Sequence, residues 1–442
     1  MTHLLLRSLA RTSLVVTSAL ACTLAARPAL ALQPVTEFLT HAKTWNPQNR
    51  AAVATAAQRD AELGIATGNV LPNLTATGMY TRNQYEVTTA AITGGLSIPG
   101  FPNTVIQPQN QLDANVILNV PIINVVNWDR RAAAKATLAG AHADTANAEL
   151  QVEKNVIREY YALLGNEAVL QSAQKNVDVA EHNVRLAHDR HDSGTGSELD
   201  VQRALADLAK AQQNVTAAQL AVTNNRRDLY SLTGLNAEAA GAVPEDDLHE
   251  EPALEAWAGK ADRMPAVQSA AASVGAADEG VKAAKIAFLP TVAANVEEKF
   301  TNATAFVGGH SAIYLAQLVA SWRLDTTLGP EIRAQKAAAA VARAHQDQAR
   351  QDAEDAVFHD WQQIRADIES ARSSRAQVAA AQLAASLAED RYQSGVATQL
   401  DVLQARQDAF SADVARIQAD ADLAYARLAL RLDAGQLVKE TR

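Results

Sequence analysis

The chain has 442 residues, of which 48% are apolar and 20% are charged, so it can bury a hydrophobic core and is not disordered over most of its length. Only 5% of the residues are aromatic, and alanine supplies much of the apolar fraction, which favours helices packed through small side chains. The formal net charge of −10 excludes a polyanion-binding surface over the whole protein, so nucleic acid is not expected as a partner.

Residues 1–31 have the pattern of a signal peptide. They contain Arg7, Arg11 and Arg27 but no acid, an apolar run too short to span a bilayer, and small residues before a predicted cleavage site after Ala31. Cleavage removes three arginines and takes the net charge from −10 to −13. The single cysteine, Cys22, excludes a disulfide framework and a cysteine-ligated zinc site. Lipidation at Cys22 is a second-ranked alternative, because Leu20-Ala21-Cys22 fits lipoprotein processing only loosely.

Four segments read as β-strands. The clearest runs from Leu112 to Val120, where apolar residues alternate with mostly polar ones, and residues 74–81, 292–297 and 312–322 are the other three. The Gly/Pro/Asn-rich stretch from Gly94 to Asn110 reads as a long loop between the first two strands. We expect two hairpins, each placed between helices. Two small soluble hairpins that cap a helical bundle are the alternative interpretation.

The segments after each strand pair have a helical period close to seven. The apolar positions are Val156, Leu163, Leu170, Val177 and Val184, then Val201, Leu208, Val215, Val222 and Leu229, with Ala204, Ala211 and Ala218 three residues on. This pattern predicts a coiled-coil seam of large residues and alanines. The first helix, from about Asp129 to Asp192, would be about 95 Å long. The second copy keeps the seam in part, and Arg416 interrupts it.

The chain contains an internal duplication. The segment from Arg190 to Ala204 recurs from Arg391 to Ala405, and the separation of 201 residues also relates Gly234 to Gly435. The predicted first copy covers residues 32–235 and the second covers 263–435, with an equatorial linker at 236–262 and a short tail at 436–442. Four strands cannot close a barrel, and an open sheet edge is not tolerated in lipid, so membrane-spanning strands would require oligomerisation.

The repeated segment predicts a tight turn between two helices. Gly194 and Gly395 suit the left-handed residue that ends a helix. Ser197 and Thr398 then serve as N-caps, with Asp200 and Asp401 as the acids of two capping boxes. Capping alone accounts for both aspartates, because the first turn of a helix favours a carboxylate.

The repeated Ser-Gly-x-x-[Ser/Thr]-x-Leu-Asp-Val turn, the Leu-Pro pair before the first strand of each copy and the Leu-x-x-Leu-x-Gly end of the first copy resemble the TolC-type outer membrane efflux proteins. The resemblance covers nearly all of the mature chain. It implies a mainly α fold with a membrane β-barrel, in which a homotrimer shares one barrel of twelve strands in outer-membrane lipid. Coiled-coil helices would continue the barrel as an α-barrel tunnel through the periplasm.

The function implied by the resemblance is that of an exit duct in a tripartite efflux or type I secretion system. An inner-membrane pump and a periplasmic adaptor protein would deliver the substrate, and the duct would need no cofactor. The turns would form the closed periplasmic end, with Asp200, Asp401 and Tyr392 at the pore constriction. The residues that match the adaptor-docking region are Ser193, Gly194, Ser197, Ser394, Gly395, Val396 and Thr398.

Two positions depart from the family pattern. Well-studied members carry a second acid where this chain has Gln404, and a basic residue where it has Ala397. We therefore expect at most one acidic ring, without the arginine lock of some members. Whether the aspartates gate the pore or only cap the helices stays open at this point.

Other functions are less well supported by the sequence. His188 and His191, with Asp189 and Asp192 beside them, could bind a divalent ion, but no third convergent ligand is evident and no metal site is predicted. No catalytic set of residues can be singled out, so an enzyme is not expected. A periplasmic adaptor or a coiled-coil scaffold is the alternative function. An adaptor, however, has one hairpin where this chain has two, and a scaffold does not explain the strands.

Overall fold

The structure is a computed structural model that describes residues 33–92, 94–95, 99, 103–237, 243–303, 309–323 and 326–436. The predicted signal peptide with Cys22 and residues 437–442 of the predicted tail lie outside the described residues. None of the helices in the described part of the chain combines the length and the apolar character that a membrane crossing needs.

The chain runs twice through a similar order of elements. The first half contains α1 (Val35–Trp45), α2 (Pro47–Gly68), β1 (Asn73–Arg82), β2 (Val87–Thr88), α3 (Thr89–Ile92), β3 (Val105–Gln107), β4 (Asn110–Ile123), α4 (Val125–Asp192) and α5 (Glu198–Thr233). The second half contains α6 (Pro265–Ile286), β5 (Thr291–Thr301), β6 (Ala312–Ser321), α7 (Leu328–Gln393) and α8 (Gln399–Asp433). Each half therefore ends in a pair of long antiparallel helices, α4 with α5 and α7 with α8, which we call the first and second hairpins.

The four long strands form one antiparallel sheet in the order β1-β4-β5-β6. The pairs β1–β4 and β5–β6 are the two predicted strand hairpins, and the pairing of β4 with β5 joins the two halves of the chain. The stretch predicted as a long loop is not a loop throughout its described part. It contains β3, which pairs with β2 in a separate two-stranded sheet.

The two helices of each hairpin are long, and they pack closely because their seams contain alanines. Helix α4 has 68 residues and α7 has 66, each about 100 Å at 1.5 Å per residue. The predicted seam alanines of α5 are all buried, and α4 supplies buried alanines at the same spacing of seven, Ala173, Ala180 and Ala187. Small side chains at these positions allow the helix axes to approach. The large seam residues differ in their burial: Val156, Leu163 and Leu229 are fully buried, whereas Val177 and Val215 are only half-buried.

Two apolar cores lie away from the turns, near the C-terminal ends of α5 and α8 and about halfway along α4 and α7. The first joins Phe38 of α1 to Val156 and Leu163 of α4, and to Leu428 and Leu432 of α8. It therefore connects the first hairpin to the second. The second core packs Trp257, from the segment between α5 and α6, against Val357 and Ile364 of α7 and Leu423 of α8.

Arg416 does interrupt the apolar seam of α8, and the structure shows how its charge is accommodated. Its guanidinium is 2.9 Å from Asp413 and 3.1 Å from Asp420. Arg375 of α7 binds the same Asp420 carboxylate at 2.8 Å. Because Asp420 is buried, two arginines compensate a charge that would otherwise be costly to bury.

Candidate functional site

The turns between the long helices, which we call the tips, form the predicted tight reversals. Gly194 has φ 74° and Gly395 has φ 78°, the left-handed conformation that favours glycine. At the first tip the N–H of Gly196 donates to the carbonyl of Arg190 at 2.9 Å, and at the second the N–H of Val396 donates to the carbonyl of Arg391 at 2.9 Å. These bonds satisfy the last carbonyls of α4 and α7.

Both predicted capping boxes are confirmed. The N–H of Asp200 donates to Ser197 Oγ at 3.2 Å, and the Asp200 carboxylate accepts from the Ser197 hydroxyl at 2.8 Å. The Asp401 carboxylate accepts both the N–H and the hydroxyl of Thr398 at 2.8 Å. Each acid thus begins a returning helix and is held at a defined position beside the turn.

The two aspartates differ in their surroundings. Asp401 is exposed, and its pKa is lowered by the Thr398 N–H, then by the Thr398 hydroxyl, with a further contribution from the charge of Arg391. Asp200 is less exposed and lies 3.7 Å from Arg203. Both carboxylates can present negative charge at the tip, but Asp401 does so without a neighbouring cation at ion-pair distance among the described residues.

Arg190 clamps the first tip to the second, a contact that the sequence interpretation missed. Its Nη2 donates to the carbonyl of Tyr392 at 2.9 Å and to the carbonyl of Gln393 at 3.2 Å. The guanidinium lies 4.1 Å from the centroid of the Tyr392 ring, which is 7% exposed. The clamp therefore combines hydrogen bonds with a cation–π contact between the ends of α4 and α7.

The residues predicted to dock an adaptor are all exposed at the tips. Val396, one of these residues, is 69% exposed, and two further apolar side chains, Leu199 and Leu400, are 56% and 53% exposed on the same surface. Leu199 and Leu400 were not singled out as site residues, although both stand in the repeated Leu-Asp-Val motif. Exposed apolar residues at equivalent positions of two copies are a typical feature of an interaction surface.

The histidines of the first tip do not gather a ligand set. His191 Nε2 is 3.6 Å from a Glu198 carboxylate oxygen, which makes a single pair. Among the described residues, potential metal ligands converge instead at Asp246, Asp247 and His249. There the guanidinium of Arg427 binds both carboxylate oxygens of Asp246, at 2.7 and 2.9 Å.

The four-stranded sheet has one apolar face, and its other face is mostly polar on β1, β4 and β5 but carries Ile313, Leu315 and Val319 on β6. Strand register places on the apolar face Leu74, Ala76, Gly78 and Tyr80 of β1; Leu112, Ala114, Val116, Leu118 and Val120 of β4; Val292, Ala294, Val296 and Phe300 of β5; and Ala312, Tyr314, Ala316, Leu318 and Ala320 of β6. The charged residues on this face of the paired, described strands are Glu298 of β5 and Arg82 at the end of β1. On the other face Asn119 donates to Asn295 at 2.6 Å across β4 and β5.

The apolar face of the sheet is more exposed than the polar face, which is the reverse of the arrangement in a water-soluble sheet. On the apolar face of β4, Leu112 is 59% exposed and Leu118 is 37% exposed, whereas the polar Asp113, Asn115 and Asn119 on the other face of the same strand are half-buried. A soluble protein buries its apolar strand face against a core. The strands β1 and β6 also have unpaired outer edges in the described sheet. The apolar face therefore suits lipid, and the free edges suit pairing with further strands.

Comparison with known proteins decides the family. The profile of the family described as outer membrane efflux protein matches residues 39–235 and 261–436. The chain belongs to this family. The resemblance identified from the tip motif is thereby confirmed, and family membership places the chain in the outer membrane.

Two curated relatives share part of the sequence. The outer membrane efflux protein BepC of Brucella suis is 27% identical over 278 residues, which is 60% of this chain and 59% of BepC. The fusaric acid resistance protein FusA of Burkholderia cepacia is 30% identical over 175 residues, 37% of this chain and 32% of FusA. The matches thus span less than two thirds of either relative.

The fold of the family is also evident from a solved structure. The outer membrane channel CmeC of Campylobacter jejuni superposes with a TM-score of 0.77 at 17% identity, covering 91% of this chain and 86% of CmeC. The arrangement of four strands and two long helical hairpins is therefore a fold of outer membrane channels.

Proposed function

We propose that the chain is one protomer of a homotrimeric outer-membrane channel, the passive exit duct of a tripartite efflux or type I secretion system. The proposal rests mainly on the four-stranded sheet. Its apolar face is exposed, its two outer strands have unpaired edges, and it continues directly into helices of about 100 Å. Neither a soluble scaffold nor a periplasmic adaptor accounts for an exposed apolar sheet face.

Hydrogen bonding in lipid supports an oligomer in which the free sheet edges pair. An unpaired strand edge exposes N–H and C=O groups that the hydrocarbon core cannot satisfy. Pairing β1 of one protomer with β6 of the next removes both edges, and three protomers give twelve strands, enough for a closed barrel with a lumen. In that barrel the polar face with Asn119 and Asn295 lines the lumen, and the face with Leu318 contacts lipid.

The long helices then form the tunnel. Both hairpins run in the same direction from the sheet, so three protomers would supply six hairpins around a common axis. We assign residues 32–235 and 263–435 to the two repeats of the protomer, and 236–262 to an equatorial linker between them. Leu-Pro pairs at Leu71 and Leu289 mark the passage from helix to strand in both repeats.

The tips form the periplasmic entrance in this proposal. Asp200 and Asp401, held by their capping boxes, would supply acidic groups beside the pore, and Tyr392 under the Arg190 clamp would hold the two hairpins together there. Ser193, Ser197, Ser394 and Thr398, with the tip glycines and Val396, would dock a periplasmic adaptor that links the duct to an inner-membrane pump. The relatives BepC, named an efflux protein, and FusA, named for fusaric acid resistance, support an export function.

The experiment is planar-bilayer conductance of the purified mature protein together with its mass in detergent. A trimer with a small cation-selective conductance is the expected result, because the entrance is acidic. The edge pairing is tested by placing one cysteine on β1, at Thr77, and a series of single cysteines on β6. The predicted loss of Cys22 with the signal peptide leaves a cysteine-free background.

Oxidised double-cysteine variants should give covalently linked protomers at one register of β6 and not at its neighbours. Thr77 paired with Val222→Cys on α5 is the negative control, since Val222 is buried within a protomer. A water-soluble monomer or dimer without conductance would refute the proposal and favour the adaptor or scaffold function.

A further inference from the structure

A cavity of about 510 Å³ lies where the four-stranded sheet meets the long helices. Part of its lining comes from Asn124, Thr291 and Ser321, which stand at or next to the ends of β4, β5 and β6. Thr291 pairs directly with Ser321 and lies four residues before Asn295 in β5, so these residues point to the same, mostly polar side of the sheet. The cavity is therefore on the side of the sheet opposite the apolar face.

Small residues near the end of α6 create the space for this cavity. The wall there consists of Gly280, Ala283, Ala284 and Ala287. A Cβ on Gly280 would lie 3.0 Å from Gln335 Oε1 of α7, so the glycine allows that side chain to approach. The short side chains leave a gap between α4 and α7 whose volume falls within the range of about 300–1,000 Å³ that is typical of pockets for small organic molecules.

The charged residues of the lining are Arg130 of α4, Arg323 before α7 and Glu331 of α7. Arg323 Nη2 is 3.4 Å from a Glu331 carboxylate oxygen and donates to Thr327 Oγ1 at 2.8 Å. Arg130 donates to Asn127 Oδ1 at 3.2 Å, and in the part of the chain that the structure describes no carboxylate lies at ion-pair distance from it. Two guanidinium groups against one carboxylate leave an excess of positive charge, and guanidinium is well suited to bind a further carboxylate.

Trp322 adds an aromatic surface to the same cavity. It directly follows Ser321, and 61% of its surface is exposed, so its indole is available for contact with a ligand. Aromatic rings stack favourably in offset or edge-to-face arrangements. The lining therefore combines two arginines with an indole and with small apolar residues, a set of groups that matches an aromatic ring carrying one carboxylate.

We propose that this cavity binds small aromatic carboxylates, with the carboxylate at Arg130 and Arg323 and the ring against Trp322, and that it is a substrate subsite of the exit duct. The substrate role rests on the proposed function, because the polar side of the sheet lines a lumen only in the closed barrel, whereas the binding itself does not require a channel. Arg130 is near the start of α4, about 90 Å from the acidic tips at the end of that helix, so the charge of the tips is screened from the site.

Fluorine NMR of para-fluorobenzoate with the detergent-purified protein tests the proposal. The protein should broaden the ligand signal beyond the effect of empty micelles, and it should broaden that of the neutral para-fluorobenzamide much less. Arg130→Gln and Arg323→Gln should each weaken binding of the carboxylate about fivefold, the effect of losing one exposed charge pair. Arg131→Gln is the matched control and should bind like the wild type, because Arg131 donates to Thr67 Oγ1 at 3.0 Å and does not line the cavity.

Two further variants keep the test decisive if an arginine variant folds poorly. Glu331→Gln removes the one acid of the lining and should strengthen binding, and Ala283→Leu fills the cavity without changing its charge and should weaken binding. Equal broadening of the carboxylate and the amide, or unchanged binding in both arginine variants, would overturn the proposal. A protein that conducts but does not bind para-fluorobenzoate would refute this inference and leave the channel intact. Binding by a protein that does not conduct would refute the proposed function and, with it, the substrate role.

Discussion

The Arg190 clamp yields a quantitative prediction for the entrance. Arg190→Ala removes two hydrogen bonds to carbonyls, at 2.9 and 3.2 Å, and a cation–π contact of 4.1 Å. For a partly exposed arginine these contacts stabilise the joined tips by about 2 kcal/mol in total. Their loss should shift the equilibrium between joined and separated tips by roughly thirtyfold in each protomer. Single-channel conductance in planar bilayers should rise accordingly.

The duplication supplies the control for this prediction. Arg391 occupies the position equivalent to Arg190, but it is exposed and makes none of the clamp contacts. Arg391→Ala should therefore leave the conductance close to that of the wild type. Arg190→Lys should be intermediate, because lysine keeps the charge but not the planar fork of donors. Equal conductance of Arg190→Ala, Arg391→Ala and the wild type would refute the role of the clamp at the entrance.

Three further predictions concern other parts of the chain. Gly234→Ala should destabilise the protein more than Gly435→Ala in urea titrations. Both glycines have positive φ, a conformation that is less favourable for alanine by about 1 kcal/mol. At position 234 a Cβ would in addition lie 2.6 Å from the Trp45 ring. Equal losses would contradict this steric explanation. Leu318→Arg, on the apolar face, should reduce membrane insertion by an amount equivalent to about 2–4 kcal/mol near the bilayer centre, whereas its neighbour Gln317→Arg should insert normally, as measured by the yield of membrane-embedded trimer. Because the pKa of Asp401 is lowered, its helix cap is intact at neutral pH and is lost as the pH falls through that lowered value. Hydrogen exchange in the first turn of α8 should therefore increase at acidic pH in the wild type. Asp401→Asn should remove this pH dependence.

The features that the sequence predicted well depend on local patterns. Strand alternation around Leu112, the capping acids Asp200 and Asp401 and the left-handed Gly194 each require only neighbouring residues. The conformation at such positions is determined by backbone sterics and by hydrogen bonds spanning a few residues. The duplication strengthened these predictions, because the same pattern of residues occurs twice in the chain.

The features that the sequence did not predict depend on distant contacts. Arg190 stands in the repeated motif and so does Arg391, yet only Arg190 reaches the opposite tip, 202 residues away at Tyr392. Likewise, the pairing of β4 with β5 joins strands from different halves. The seam pattern also does not reveal ion pairs. Arg416 interrupts the apolar seam but pairs with Asp413 and Asp420 of its own helix, and Asp420 also binds Arg375 of α7. The periodicity of a sequence identifies which side of a helix is buried, but not which residues of another element contact that side.

The location of apolar and polar contacts explains why the clamp should matter at the tips. Near Leu428 and Leu432, α8 of the second hairpin shares an apolar core with α4 of the first, and exposing this core to water would be costly. Towards the tips the contacts between hairpins include polar ones, such as Ser172 Oγ donating to Asp413 at 2.5 Å and the Arg190 clamp. Water can substitute for such hydrogen bonds at a small net cost. The hairpins should therefore separate most easily at their tips, which is where removal of a single arginine has its largest effect, while the apolar core stays intact.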